Sequence, residues 1–119
     1  MTEVDRIFDE VANYFSMMSE PMRLKIIHAV CRTERTVTEI VEDTGATQSN
    51  ISRHLSLMYR HGLLSRRREG NQIYYRMADD TMVELCRSAC NRIAAEIDDR
   101  STLKRKIENL MPSPKRARA

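Results

Sequence analysis

TVTEIVEDTGATQSNISRHLSL, residues 36–57, reads as two short helices joined by a tight turn. Val37, Ile40 and Val41 give the first helix one apolar face at helical spacing. Gly45 ends it, where a residue with positive φ is cheap. Thr47 is placed to cap the next helix, its hydroxyl oxygen accepting from an exposed amide. Ile51, Leu55 and Met58 form a second apolar stripe at i, i+4, i+7. That leaves Gln48, Ser49, Asn50, Ser52, Arg53 and His54 for the outer face. Short or fork-shaped donors and acceptors crowded at a helix start suit base edges and phosphates in a major groove. The same residues also serve as an ordinary polar helix face, so the neighbouring sequence decides.

Upstream, residues 3–18 predict a first helix. Val4, Ile7, Phe8, Val11, Phe15 and Met18 make one continuous stripe. Ser19 is a candidate cap and Pro21 a first-turn residue for a second helix over about 21–33, with Leu24, Ile27, Val30 and Cys31 inward. Residues 33–36 form a short polar link. Downstream, Gly62 closes the helix that began after Thr47. Leu63-Leu64, three arginines, the turn residues Glu69-Gly70-Asn71 and the β-prone Ile73-Tyr74-Tyr75 predict a hairpin with a basic tip, strands about 63–68 and 72–77. Asp79 or Asp80 caps a last long helix, about 80–98. Its Val83, Cys86, Cys90, Ile93 and Ile97 form a coiled-coil-like seam. That seam and the first helix's stripe predict a homodimer; the alternative is that both cover the protomer's own core. Residues 99–119 are read as a basic, disordered tail. Ser101 to Leu110 is able to extend as helix, and PSPKRARA from Pro112 has nothing to bury.

Composition narrows the class. At 119 residues, 41% hydrophobic and 31% charged, the chain suits one soluble domain. No apolar run approaches the roughly 20 residues of a membrane span. No basic-apolar leader opens the sequence, which predicts a cytoplasmic protein. Three cysteines suggest free thiols or ligands, not a disulfide framework. The net charge of +3 is uneven. Residues 1–43 hold 5 basic and 9 acidic side chains; residues 44–76 hold 6 arginines and one glutamate; residues 77–119 hold 9 basic and 7 acidic. The positive peak falls on the segment after the turn, as a polyanion site requires. Only three glycines, no phosphate loop and no paired-carboxylate or Ser-His-Asp set argue against an enzyme. Few aromatics argue against RNA stacking. An Arg-rich recognition face argues against a winged helix used only as a protein-interaction module.

Helix order with a basic hairpin after the recognition helix makes a mainly α winged helix-turn-helix over 1–98. The chain resembles the ArsR/SmtB-type bacterial repressors through SEPMRLKIIHAV (19–30), TVTEIVEDTGATQSNISRHLSLMYRHGLL (36–64) and SRRREGNQIYYRM (65–77). The resemblance implies a homodimer, paired through first and last helices, on a short inverted repeat of double-stranded DNA, the two recognition helices about one helical turn apart. Gln48, Ser49, Asn50, Ser52, Arg53 and His54 match the family's recognition segment; Arg66, Arg67, Arg68, Asn71 and Gln72 match its wing. Tyr74 and Tyr75 are expected to anchor the hairpin.

Family members often release DNA on binding a soft metal or on thiol oxidation. Here Thr36 and Thr38 stand where a Cys-x-Cys site would begin the third helix, and Met82 and Ile93 stand where last-helix ligands would be needed, leaving Glu96 alone able to serve. Thiol-switch relatives pair a cysteine of the second helix with one of the last; His28 and Ala94 hold those places, with Cys31 and Cys90 about one turn away. Three readings stay open. Cys31 forms a reversible disulfide or polysulfide bridge with Cys90 or Cys86. Cys31, Cys86 and Cys90, with His28, take arsenite, zinc or copper. Or the cysteines only pack, and no cofactor is required.

Overall fold

The computed structural model describes residues 2–97 and 101–111, those from 101 to 104 by backbone alone. Helices α1 (Glu3–Ser16) and α2 (Pro21–Val30) lead to a two-residue strand β1 (Arg35–Thr36). Helices α3 (Val37–Thr44) and α4 (Gln48–Arg60) follow, then strands β2 (Leu64–Glu69) and β3 (Gln72–Met77). Helices α5 (Asp80–Ile97) and α6 (Ser101–Leu110) complete the described chain. The sheet order is β1-β3-β2, antiparallel throughout.

The polar link before α3 is thus partly a strand. Arg35 pairs with Tyr75 and Thr36 with Tyr74, so β1 covers one edge of the hairpin. A two-residue strand is too short to show alternation in sequence. The α3–α4 turn follows expectation. Gly45 sits at φ 74 as the C-cap of α3. Thr47 Oγ1 accepts from the Asn50 amide at 3.2 Å. Thr36 closes a reciprocal capping box with Glu39 on α3. The cap of α2 differs from expectation: Glu20, not Ser19, accepts from the Met22 amide at 2.9 Å, with Pro21 at the first helical position.

The core lies among α2, α3, α4, the hairpin and the first half of α5. Ile26, Ile27, Ile40, Ile51, Leu55 and Met58 are fully enclosed, together with Leu63, Met82 and Cys86. Each such aliphatic side chain contributes about 1.5–3 kcal/mol on leaving water.

The two seams part company here. Helix α1 buries no residue. Val4, Ile7, Phe8, Val11 and Phe15 all face outward, Phe8 being 66% exposed. The helix is tied down at its end instead. Tyr14 donates its hydroxyl to Asp79 at 2.7 Å, and the Arg23 guanidinium donates to the carbonyls of Met17 and Ser16. The α5 seam divides: Val83 and Cys86 are in the protomer's own core, Cys90 packs beside it, and Ile93 and Ile97 are exposed.

Within the segment read as a tail, the helical option at 101–110 is the one taken. Ser101–Leu110 is a helix that folds back, with Arg87 on α5 donating to Glu108 at 3.0 Å and Met111 buried against the core. An apolar residue at 111 and an arginine on the preceding helix supply the contacts that a purely solvated tail lacks. The basic run Lys115, Arg116 and Arg118 lies outside the described residues.

Candidate nucleic-acid interface

The start of α4 presents its polar side chains as a compact set. Gln48, Ser49 and Arg53 are exposed; Asn50 and Ser52 are half-buried. Arg53 Nη2 donates to the Asn50 side-chain oxygen at 2.7 Å, one turn away. This bond restricts both rotamers and leaves the remaining donors of the exposed guanidinium uncommitted. The N-terminal amides of α4 add positive potential to the same spot.

His54 does not belong to that face. It is 2% exposed. Residues 51, 54, 55 and 58 recur at i, i+3, i+4, i+7, so His54 completes the inner stripe, and the i+3 step from Ile51 is the signal that would have placed it. Its Nε2 lies 3.5 Å from Glu20 at the start of α2, and its Nδ1 has no hydrogen-bond partner. Burial, with help from Arg53 and Arg23, lowers its proton affinity below the usual histidine value, against the pull of Glu20.

The wing's arginines divide among three tasks. Arg66 lies over the Tyr59 ring of α4, 3.9 Å from its centre, joining hairpin to recognition helix. Arg67 lies over Tyr74 at 4.3 Å and is gripped by Glu34: its Nε donates to both carboxylate oxygens at 2.9 and 3.0 Å, and its Nη2 donates to Oε1. This grip holds the Glu34 carboxyl below its ordinary range. Arg68 is exposed and makes no ion pair among the described residues, and Asn71 and Gln72 are exposed at the turn beside Gly70, φ 62. Tyr75 is buried and Tyr74 lies under Arg67, so both anchor the hairpin. Tyr59 and Glu34 are the residues sequence reading passed over. Each acts on a wing arginine across a span that no local spacing encodes.

The thiols lie at the end of α2 and along α5. Cys31, at the end of α2, donates to the carbonyls of His28 at 3.3 Å and Leu110 at 3.6 Å. Cys86 is 1% exposed, and Cys90 is half-buried one turn later on α5. Burial pushes all three thiols up. Cys86 reaches about 11, with the neighbouring Cys90 and Cys31 adding to the rise. His28 is half-buried, and burial lowers its proton affinity. Among the described residues, no three His, Cys, Asp or Glu side chains are gathered to hold a metal ion.

A helix-turn-helix with a following basic hairpin defines a winged helix-turn-helix DNA-binding fold. Residues 20–66 match the model for bacterial regulatory proteins of the arsR family. A probable mercury resistance operon repressor of Streptomyces lividans is 37% identical over 93 residues, 74% of each chain. The crystal structure of Rv0081 from M. tuberculosis superposes with a TM-score of 0.68 at 29% identity, over 80% of this chain and 96% of that one. The homodimeric winged helix-turn-helix domain of Mb0332 from Mycobacterium bovis, a possible ArsR-family regulator, gives 0.66 at 28%, over 82% and 89%. The chain belongs to the ArsR family: it is a DNA-binding transcriptional regulator and not an enzyme.

Proposed function

We propose that the protein is a homodimeric repressor that holds a short inverted-repeat operator and lets go when a soft, thiol-seeking ion reaches α5. The bare stripe of α1 carries the dimer reading. Five large apolar side chains on a capped helix that buries nothing need a partner, and Ile93 and Ile97 extend the patch. A second copy supplies it by symmetry. Gln48, Ser49, Asn50, Ser52 and Arg53 then meet base edges, while Arg68, Asn71 and Gln72 lie along backbone.

Thiol chemistry favours an ion over an oxidant. Oxidation needs thiolate, and burial keeps these sulfurs protonated. A soft ion displaces the proton as it binds. Cys86 and Cys90 share one face of α5 and offer two sulfurs, enough for a two-coordinate ion. The Streptomyces relative is named for mercury resistance, which makes mercuric ion the first of the class to try.

The test is fluorescence anisotropy of a labelled duplex from the protein's own upstream region. Reduced protein should bind with a steep salt slope, about −0.9 per phosphate contact. Mercuric ion, then arsenite, zinc and copper(I), and diamide as the oxidant, are added in turn. Release by an ion but not by diamide, lost in Cys86→Ser, supports the reading. Release by diamide alone points to a disulfide between Cys31 and Cys90 or Cys86. No response to any reagent makes the cysteines packing residues.

A further inference from the structure

A cavity of about 520 Å³ opens between α2, the end of α3 and the end of α6, apart from the recognition face. Ligand pockets commonly run about 300–1,000 Å³. Three cations stand on its wall, Lys25, Arg32 and Arg35, against one carboxylate, Asp43. Arg35 already spans Glu39 at 3.5 Å and Asp43 at 3.7 Å. Asp43 is thus occupied, and Lys25 and Arg32 make no ion pair among the described residues. The Arg35 Nε–H is buried with no hydrogen-bond partner, because 3.7 Å is too long for one. Ala29 and Leu110 supply apolar wall, and the Asn109 amide stands at the rim.

We propose that this cavity binds a small organic anion, a carboxylate or phosphate monoester with a compact apolar body. Two unpaired cations attract and hydrogen-bond the head group, and the apolar wall takes the remainder. The location gives binding a consequence. Arg35 is in β1, paired with the wing through Tyr75. Thr44, also on the wall, precedes the Gly45 turn that aims α4. Helix α6 closes the third side, held by Arg87–Glu108 and by the Cys31–Leu110 contact. A ligand seated among these three elements shifts the reading head if it prefers one arrangement of them. This regulatory consequence rests on the repressor reading; occupancy of the cavity does not.

The experiment is a titration of ¹⁵N-labelled full chain without DNA, using phenyl phosphate, benzoate and the neutral benzyl alcohol. Expected are saturable shifts at the amides of Ala29, Thr44, Asn109 and Leu110 with an anion and none with the alcohol. The better anion names the head group. Lys25→Gln with Arg32→Gln, both exposed, should weaken binding about tenfold or more with the rest of the spectrum unmoved. No saturable shift with either anion, equal shifts with benzyl alcohol, or unchanged affinity in the double variant overturns the proposal. Loss of duplex affinity in that variant without anion shifts in the parent also overturns it, making the cations a DNA contact. Anisotropy of the duplex with anion-saturated protein reads the consequence. Release establishes an effector site, and unchanged affinity removes the regulatory role. Failure of the repressor reading shows separately, as no duplex binding by anion-free protein.

Discussion

The start of α4 and the wing look alike in sequence, since both are polar and rich in arginine. The structure gives them different constraints. The α4 face is fixed from below, by Ile51, Leu55 and Met58 in the core, and the side-chain bond from Arg53 to Asn50 runs along the face itself. The wing is fixed from the side. Arg66 is spent on Tyr59 and Arg67 on Glu34 and Tyr74, which leaves Arg68 uncommitted. A row of like residues therefore does not make a row of like roles. Neighbours distant in sequence decide which cation is free to meet a phosphate.

Removing the floor of α4 has the largest expected effect. Ile51→Ala should cost about 2–5 kcal/mol in urea unfolding, because the enclosed site cannot collapse fully. A loss under about 1 kcal/mol would mean that α4 is not seated as described. Next is Arg53→Ala, expected to cost about 1–3 kcal/mol on the operator and much less on scrambled duplex if the side chain reads a base. Equal losses on both would turn it into a backbone contact.

The wing is then dissected with Glu34→Gln, Arg67→Ala and Arg68→Ala. Removing an acid near DNA should by itself raise affinity. If Glu34 fixes the wing, Glu34→Gln instead lowers it, and the double variant is no worse than Arg67→Ala alone. Arg68→Ala should reduce the salt slope by about 0.9 per protomer, about 1.8 for the dimer, which Arg67→Ala should leave nearly unchanged. The reverse pattern would exchange the two roles.

The smallest effect is a pH dependence of stability. His54 and His28 both have folded proton affinities below the unfolded value near 6.5. The unfolded chain therefore binds more protons in the window just below that value. The stabilisation is present above about pH 6.5 and is lost as pH falls through the lower folded values. Urea midpoints should drop between about pH 7.5 and pH 5.5, and His54→Gln should flatten part of that drop. An unchanged profile would mean that His54 is solvated.

Much of this was legible. Gly45, Thr47, Gly62 and the Ile51-Leu55-Met58 spacing report local geometry, and local geometry is what sequence periodicity encodes. The bare stripe of α1 was legible too, though not whether it covered the protomer's own core. What escaped was set by contacts between distant residues. Glu34 and Arg67 are 33 residues apart, and Cys31 meets the Leu110 carbonyl across 79. His54 was misplaced because a polar side chain was assumed to face outward, although its position on the helix pointed in. Helix α6 was underrated because its burial rests on Met111 and one ion pair rather than on a long apolar run.

The sheet order has a further consequence. With the two-residue β1 laid along part of β3, β2 forms the long edge of the sheet. An open edge is a template on which another chain can add a strand and start an aggregate. Arg66, Arg67 and Arg68 lie consecutively along it, and three adjacent charges make a second strand costly to dock. The cluster that gives the wing its charge is thus expected to oppose growth into larger sheets at high concentration.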